Sequence, residues 1–502
     1  MLPAALHGGN QPVETGRFLS RAILAVASRT DDLLRIFTEN VSCVCFKGID
    51  DLIERIDILM IKEDIRIRDS GRRMPTGTTG AQLGAPDPRN PGSLLCPRGI
   101  DLSSQCAKRI VIVSGVHYLD GGGGADHLAY QEALYLARLG HEVWLLGQSH
   151  SEGTREYEVK NGVHLLRYQL QSTSQLNPRR LWRHQVAVGS ILAKYVPDPV
   201  DALHGHAPLQ FQAARLYSPA AATCYSVHSP VATELKVSLS PGGVAECVRR
   251  WGAVALANRV ERQCIARSQQ VTVASHFTKG LLQQIHGEAL AKRINIVPGG
   301  ADLDRFRVIG DRQDAKCQLG WPTDKPILFT LRRLVPRMGL DRLLRAARRL
   351  AEQGHAFHLV IGGAGPLRSD LDQLVKELDL GEKVCFLGYV PDDDLPLMYA
   401  ACDAFVLPTA ELECFGLIAV EALACGRPVL ATPVGAIPEI LNCFEPKWLS
   451  RGADVDSLYE LVSSFLQGKL PVHSPQELRS NVEKLYSSQL FLSRIEECVL
   501  AN

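Results

Sequence analysis

From Pro326 onward the chain alternates short apolar runs with helical periodicities, and this alternation restricts the possible folds more than any other feature. Runs at Ile327–Leu331, Phe357–Ile361, Val384–Leu387, Ala404–Leu407 and Pro428–Thr432 read as buried strands. Helical patterns lie between them, clearest at Leu367, Leu371, Leu374 and Leu378. Strands joined through helices pair in parallel, because each crossover must return over the face of the sheet, and the helices then cover both faces. Residues 306–485 are therefore expected to form an α/β domain around a parallel, Rossmann-like sheet.

The same logic applies upstream. Arg109–Ser114 is a buried-strand run, Gly121–Gly124 a turn, and Ala129, Ala133, Leu136 and Ala137 mark one helical face that Gly140 ends. Val143–Leu146 then completes a β-α-β unit. Runs at Ala202–His204, Thr223–Val227, Val271–Ala274 and Ile294–Val297 extend this domain over 108–305. Residues 486–502 are expected to form a helix crossing back to it. Residues 1–74 form an N-terminal extension with too little apolar surface for an independent core. Residues 75–107, rich in Pro and Gly, read as a flexible linker.

Composition excludes several function classes. With 55 Lys and Arg against 54 Asp and Glu, no global charge recruits nucleic acid. The 14 cysteines are scattered, many in apolar runs as at Cys385, Cys402 and Cys425, which predicts small buried hydrophobes rather than disulfides or a zinc site. No export signal or membrane span is legible, so the expected location is cytoplasmic, with peripheral contact at the inner membrane face left open. Basic clusters at Arg179, Arg180 and Arg183 and at Arg249 and Arg250 read first as solvated helix faces.

In open parallel sheets, ligands bind beyond the carboxyl ends of the strands. The loops there hold Arg332–Arg333, Gly362–Gly365, Gly388–Val390, Thr409–Glu413 and Val434–Ala436. A basic pair, a glycine turn and a carboxylate facing one cleft suit a phosphorylated sugar, since they complement phosphate and hydroxyl groups. Glu421 lies among Leu417, Ile418, Val420, Leu423 and Ala424, where an unpaired carboxylate is costly to bury, so it needs a partner. The bland alternatives are a solvated helix face or a structural ion pair. The aspartates Asp392–Asp394 read as a helix cap and first turn, ahead of a metal site.

The segments PILFTLRRLVPRMGL, LVIGGAGPLR, VCFLGYVPDDDLPLMYAACDAFVLPT and ELECFGLIAVEALACGRPVLATPVGAIPEI resemble the family-4 glycosyltransferases, as do GGGGADHLAYQEALYLARLGHEV, DALHGH, SVHSP and INIVPGGADLDRF. The resemblance spans residues 108–500. It implies a GT-B fold, two Rossmann-like domains facing a central cleft, with a nucleoside diphosphate sugar as co-substrate, retention of anomeric configuration and no metal or other cofactor. The acceptor would be a glycan, a lipid-linked molecule or a small molecule. The terminal stretch VCFKGIDDLIERIDILMIKEDIRIRDSGRRM is similar to the end of spore-protein-like glycosyltransferases and carries no catalytic motif.

By this resemblance, Glu413 binds the transferred sugar and Glu421 the donor ribose, while the backbone N–H groups of Phe415, Gly416 and Leu417 meet the diphosphate. Arg333 binds phosphate. His228 contacts the sugar, Gly123 and Gly124 close the cleft from the first domain, and Gly363, Gly365, Phe386, Gly388 and Val390 line the donor site. One departure stands out: Met338 replaces the lysine of the family pattern, and methionine cannot neutralise phosphate. Either Arg337, Arg332 or another cation substitutes, or the chain is a degenerate nucleotide-sugar-binding or scaffolding protein.

Overall fold

The computed structural model describes residues 107–151, 153–170, 179–219, 221–238 and 244–501. The expected extension over 1–74 and all but the last residue of the linker over 75–107 lie outside the described residues, as do the side chains of Arg179, Arg180, Arg249 and Arg250.

The first domain is built on an eight-stranded sheet in the order β3-β4-β2-β1-β5-β6-β7-β8. Its strands are β1 (Arg109–Val116), β2 (Glu142–Gln148), β3 (Tyr157–Lys160), β4 (Val163–Tyr168), β5 (Ala202–Gly205), β6 (Ala222–Val227), β7 (Gln270–Val273) and β8 (Ile294–Ile296). β1 shows why the sheet must be covered twice. Val111 and Val113 enter one apolar cluster and Ile110 and Ile112 another, on opposite faces as the two-residue strand period requires. All pairings are parallel except β3 with β4, a hairpin. Its turn is Asn161–Gly162, both at positive φ (53° and 80°), the backbone that a two-residue hairpin loop demands.

The second domain has five parallel strands, β9 (Ile327–Leu331), β10 (His358–Gly362), β11 (Val384–Gly388), β12 (Ala404–Leu407) and β13 (Val429–Ala431), ordered β11-β10-β9-β12-β13. Its core joins Phe329, Phe405 and Tyr399 to the Leu417–Ala424 helix. β9 lies between β10 and β12, so the loops leaving β9 and β12 diverge and open a crevice between them. β1 holds the same position between β2 and β5 in the first sheet.

Two chain crossings connect the domains side by side. Ala301 donates its N–H to the Tyr486 carbonyl at 2.9 Å, and Ser488 donates to the Ala301 carbonyl at 2.8 Å. Beyond the second crossing, the Ser488–Leu500 helix packs Phe491, Leu492, Ile495 and Val499 against Ile110, Ala129 and Ala133 of the first domain. Among the described residues, no helix is long and apolar enough to cross a membrane.

Candidate active site

The crevice of the second sheet gathers its charge around Glu413. Arg332, the first residue after β9, is 7% exposed and donates from Nη2 to Glu413 Oε2 at 2.7 Å and to Thr409 Oγ1 at 3.1 Å. The same guanidinium lies against Met338, with Nη2 2.7 Å and Nε 3.2 Å from Sδ. An arginine head thus occupies the space beside Met338. Arg333 is exposed and makes no ion pair among the described residues. The resemblance gave the phosphate role to Arg333 and named Arg332 only as a substitute for the missing lysine; the structure makes Arg332 the partner of Glu413 and leaves Arg333 open to a ligand.

Arg337 has a different task. Its carbonyl accepts the N–H groups of Ala410 and Glu411 at 2.9 and 3.1 Å, and its Nη1 donates to the Leu412 carbonyl at 2.9 Å. Leu412 stands at φ 53°, left-handed and costly for a branched residue, so these bonds hold a strained loop directly before Glu413. Gly435 secures the other side: at φ 66°, a Cβ there would lie 2.0 Å from the Glu413 carbonyl.

Glu421, on the Leu417–Ala424 helix, has found the partner it needed: Tyr399 donates its hydroxyl to Oε2 at 3.1 Å. One neutral donor does not offset desolvation, and burial raises the carboxyl from 4.5 to about 7. Gly416 begins that helix. Phe415 lies over Gly299 at the domain crossing, its ring 3.0 Å from where a Cβ would stand.

Several expected donor-site residues are held by internal packing. Gly363, at φ 119°, passes the Arg332 carbonyl so closely that a Cβ would sit 1.9 Å from it, and a Cβ on Gly365 would meet the Leu334 carbonyl at 2.5 Å. The Val390 side chain is buried, 2.9 Å from where a Gly362 Cβ would be, which leaves only its backbone for a ligand. Phe386 carries the Arg368 guanidinium over its ring at 4.7 Å, and Gly388 accepts from the Gly363 N–H at 2.7 Å. Asp392–Asp394 form the turn directly ahead of the Leu395–Ala401 helix, with Asp394 at its N-cap position, as their sequence reading placed them. No side-chain capping bond forms, however, and the Asp392 carboxylate accepts the Tyr118 hydroxyl of the first domain.

In the first domain, Gly123 and Gly124 are exposed at the start of the Gly124–Arg138 helix. Asp126, which sequence reasoning missed, organises their loop. Its carboxylate accepts from Gly115, Val116 and Gly123 N–H groups at 3.0, 3.1 and 2.9 Å. His228, just beyond β6, is half-buried, with Nε2 2.8 Å from His206 Nδ1. Burial, reinforced by the neighbouring histidines, lowers it to about 3, so its imidazole is neutral.

The two crevices face each other through specific bonds. Arg337 Nη2 reaches Glu234 at 3.3 Å, six residues past His228. Ser275 and Thr278, just after β7, donate hydroxyls at 2.6 and 3.1 Å to the carbonyl of Cys414, next to Glu413. Glu439 accepts the His276 and Phe277 N–H groups at 2.9 and 2.7 Å, receiving the N-terminus of the His276–His286 helix.

Comparison with known proteins agrees with this geometry. Residues 122–305 match the family described as Glycosyltransferase Family 4, and residues 311–485 match Glycosyl transferases group 1. The chain belongs to the family-4 glycosyltransferases. It is 30% identical over 222 residues to a GDP-mannose-dependent alpha-(1-6)-phosphatidylinositol monomannoside mannosyltransferase of Mycolicibacterium smegmatis, covering 43% of this chain and 58% of that protein. It is 29% identical over 362 residues to a D-inositol 3-phosphate glycosyltransferase of Mycolicibacterium paratuberculosis, covering 70% and 78%. The match thus spans little more than half of the mannosyltransferase's length. The fold matches sucrose-phosphate synthase from Thermosynechococcus elongatus (TM-score 0.64, 22% identity, 78% of this chain and 98% of that one). It also matches Anabaena HepE solved with UDP and glucose (TM-score 0.60, 17% identity, 78% and 98%). The two matched segments meet between residues 305 and 311, just after the first domain crossing, so this family-4 chain has the two-domain GT-B architecture.

The cysteines follow their sequence reading in part. Cys402 and Cys425 are free and buried, with burial pushing the Cys402 thiol up to about 12, whereas Cys385 is only half-buried.

Proposed function

We propose that this protein transfers a hexosyl group, with retention, from a nucleoside diphosphate sugar to an acceptor hydroxyl on a glycan, lipid-linked or small molecule, without a metal. The observation that carries the proposal is the Glu413 loop, fixed by Arg332, Arg337 and Gly435 and hydrogen-bonded through Cys414 to the strand ends beside His228. Glu413 would receive the sugar and Glu421 the ribose. Two relatives whose names specify glycosyl transfer to inositol-containing acceptors support the reading, as does a neighbour solved with UDP and glucose.

The chemistry is leaving-group stabilisation. As the glycosidic bond breaks, charge grows on the diphosphate, and a guanidinium already in place stabilises that charge more than the ground state. Arg333, exposed beside the Arg332–Glu413 pair, is free for this role, whereas Arg332 is committed. The test is turnover of a panel of nucleoside diphosphate hexoses in excess EDTA, with product anomer read by NMR. Transfer with retention is expected for at least one donor, and Arg333→Ala should lose about 10²–10³-fold in kcat. Inversion, dependence on added manganese or magnesium, or an Arg333→Ala enzyme as active as the parent would each overturn the corresponding part.

A further inference from the structure

Behind His228 runs a chain of buried polar groups that the mechanism has not used. His206 Nδ1 lies 2.8 Å from His228 Nε2, and His206 Nε2 meets Glu132 Oε2 at 3.1 Å. Glu132 Oε1 meets His204 Nδ1 at 2.6 Å, and His204 Nε2 meets Ser226 Oγ at 2.8 Å, which touches Thr272 Oγ1 at 2.6 Å. The Glu132 and His204 side chains are 1% and 0% exposed. Glu132 comes from the Gly124–Arg138 helix, His204 from β5, His206 from just after it, Ser226 from β6 and Thr272 from β7. No local sequence pattern could assemble them.

Glu132, His204 and His206 lie close enough to suggest a metal site. Proton counting points elsewhere. Burial works against charge on both members of the Glu132–His204 pair, but their mutual attraction prevails, lowering Glu132 and raising His204. His204 already spends both ring nitrogens on hydrogen bonds, Nδ1 on Glu132 and Nε2 on Ser226, so a metal would have to displace one of them together with its proton. A carboxylate only accepts hydrogen bonds, so His206 must present N–H from Nε2. Burial and the neighbouring His204 charge keep His206 from taking a second proton, so its Nδ1 is a bare acceptor. The His228 nitrogen facing it must then carry the proton of that neutral ring.

We propose that Glu132 and His206 are positioning residues that hold His228 as one tautomer, with Nε2–H turned inward to His206 and Nδ1 left as a hydrogen-bond acceptor for a donor-sugar hydroxyl. The effect on turnover rests on the glycosyltransferase reading. The tautomer itself does not. The chain of bonds fixes both the rotation of the ring and the polarity it offers, so that a hydroxyl can donate and an anionic sugar substituent finds no proton.

The full chain with ¹⁵N-labelled histidine rings, observed by NMR at neutral pH, tests the tautomer without any substrate. His204 is expected doubly protonated, and His206 and His228 protonated at Nε2 alone. A His228 ring protonated at Nδ1, a neutral His204, or uptake of added zinc by these rings would overturn the assignment. Two variants test the positioning. The amide of His206→Gln offers both a donor for Glu132 and an acceptor for His228, whereas His206→Leu offers neither. The Gln variant should keep the His228 ring pattern and exceed the Leu variant at least tenfold in kcat, with donor KM differing much less. Equal kcat in two folded variants, or a His228 ring pattern unchanged by Leu, would show that His206 merely fills space.

Discussion

At the ends of β5 and β6 the first domain buries Glu132 between two histidines, whereas in the crevice between β9 and β12 the second domain buries Glu413 against an arginine. Both carboxylates accept short charge-assisted bonds. Their partners differ in one property: an imidazole can shed its proton, and a guanidinium cannot. The first crevice can therefore reach neutrality by moving protons, while the second carries fixed charges, which suits the phosphorylated donor proposed for it. This difference can be broken experimentally. Arg332→Met strands a carboxylate whose side chain is only 16% exposed, and should cost about 3–5 kcal/mol of stability. Glu132→Gln should cost only about 1–3 kcal/mol, because His204 then discharges and only hydrogen bonding is disturbed. Chemical denaturation of both variants measures the gap. Equal losses would show that the histidine pair is as rigidly charged as the arginine pair.

The sequence was most legible where a single element carried the signal. The strands of both sheets follow from apolar runs, because parallel strands buried on both faces have no other composition available. The β3–β4 hairpin was equally legible in Asn161–Gly162 but is absent from the expected strands, since its strands are short and only one is well buried. The illegible parts are relations between elements. Glu132 reads as one polar residue on a helix until β5 brings two histidines to it. Asp392 reads only as part of a helix start until Tyr118 arrives from the other domain. The resemblance singled out Arg333 for phosphate, but that Arg332 beside it is bound to Glu413 shows only in the packing of Met338 and Thr409.

Glu421 sharpens the comparison within the second domain, because among the described residues its direct hydrogen-bond donor is the neutral Tyr399 hydroxyl, where Glu413 has a cation. Its folded pKa of about 7 lies above the ordinary 4.5, so the folded protein holds this proton more tightly than the unfolded chain. The resulting stabilisation is fully present below pH 4.5 and is lost as pH rises through about 7. Donor binding should run the opposite way. In the proposed role ribose hydroxyls would donate to the ionised carboxylate, so affinity should weaken as pH falls below 7, approaching tenfold per pH unit, or about 1.4 kcal/mol. Calorimetric titration of the nucleoside diphosphate between pH 5.5 and 8 measures this, with Glu421→Gln expected to flatten the profile. A pH-independent affinity in the parent protein would separate Glu421 from the ribose.

The smallest effect belongs to the contacts that bring the two crevices together. Glu439 receives two backbone N–H groups at a helix N-terminus, whereas Tyr118 gives Asp392 a single hydroxyl bond. Neither touches the groups proposed to meet the donor, so each should act on closure rather than on the chemical step. Tyr118→Phe removes one hydrogen bond and keeps the ring, which stacks on Tyr130 at 5.7 Å. Its cost to the closed arrangement should be about 0.5–1.5 kcal/mol. If the substrates bind productively only between closed domains, that cost appears as a KM raised by roughly two- to tenfold with kcat little changed. The unfolding midpoint should also move little, because each sheet keeps its own core. A loss in kcat at constant KM would instead place Tyr118 in the chemistry, and the first crevice would then supply more than a positioned, neutral acceptor.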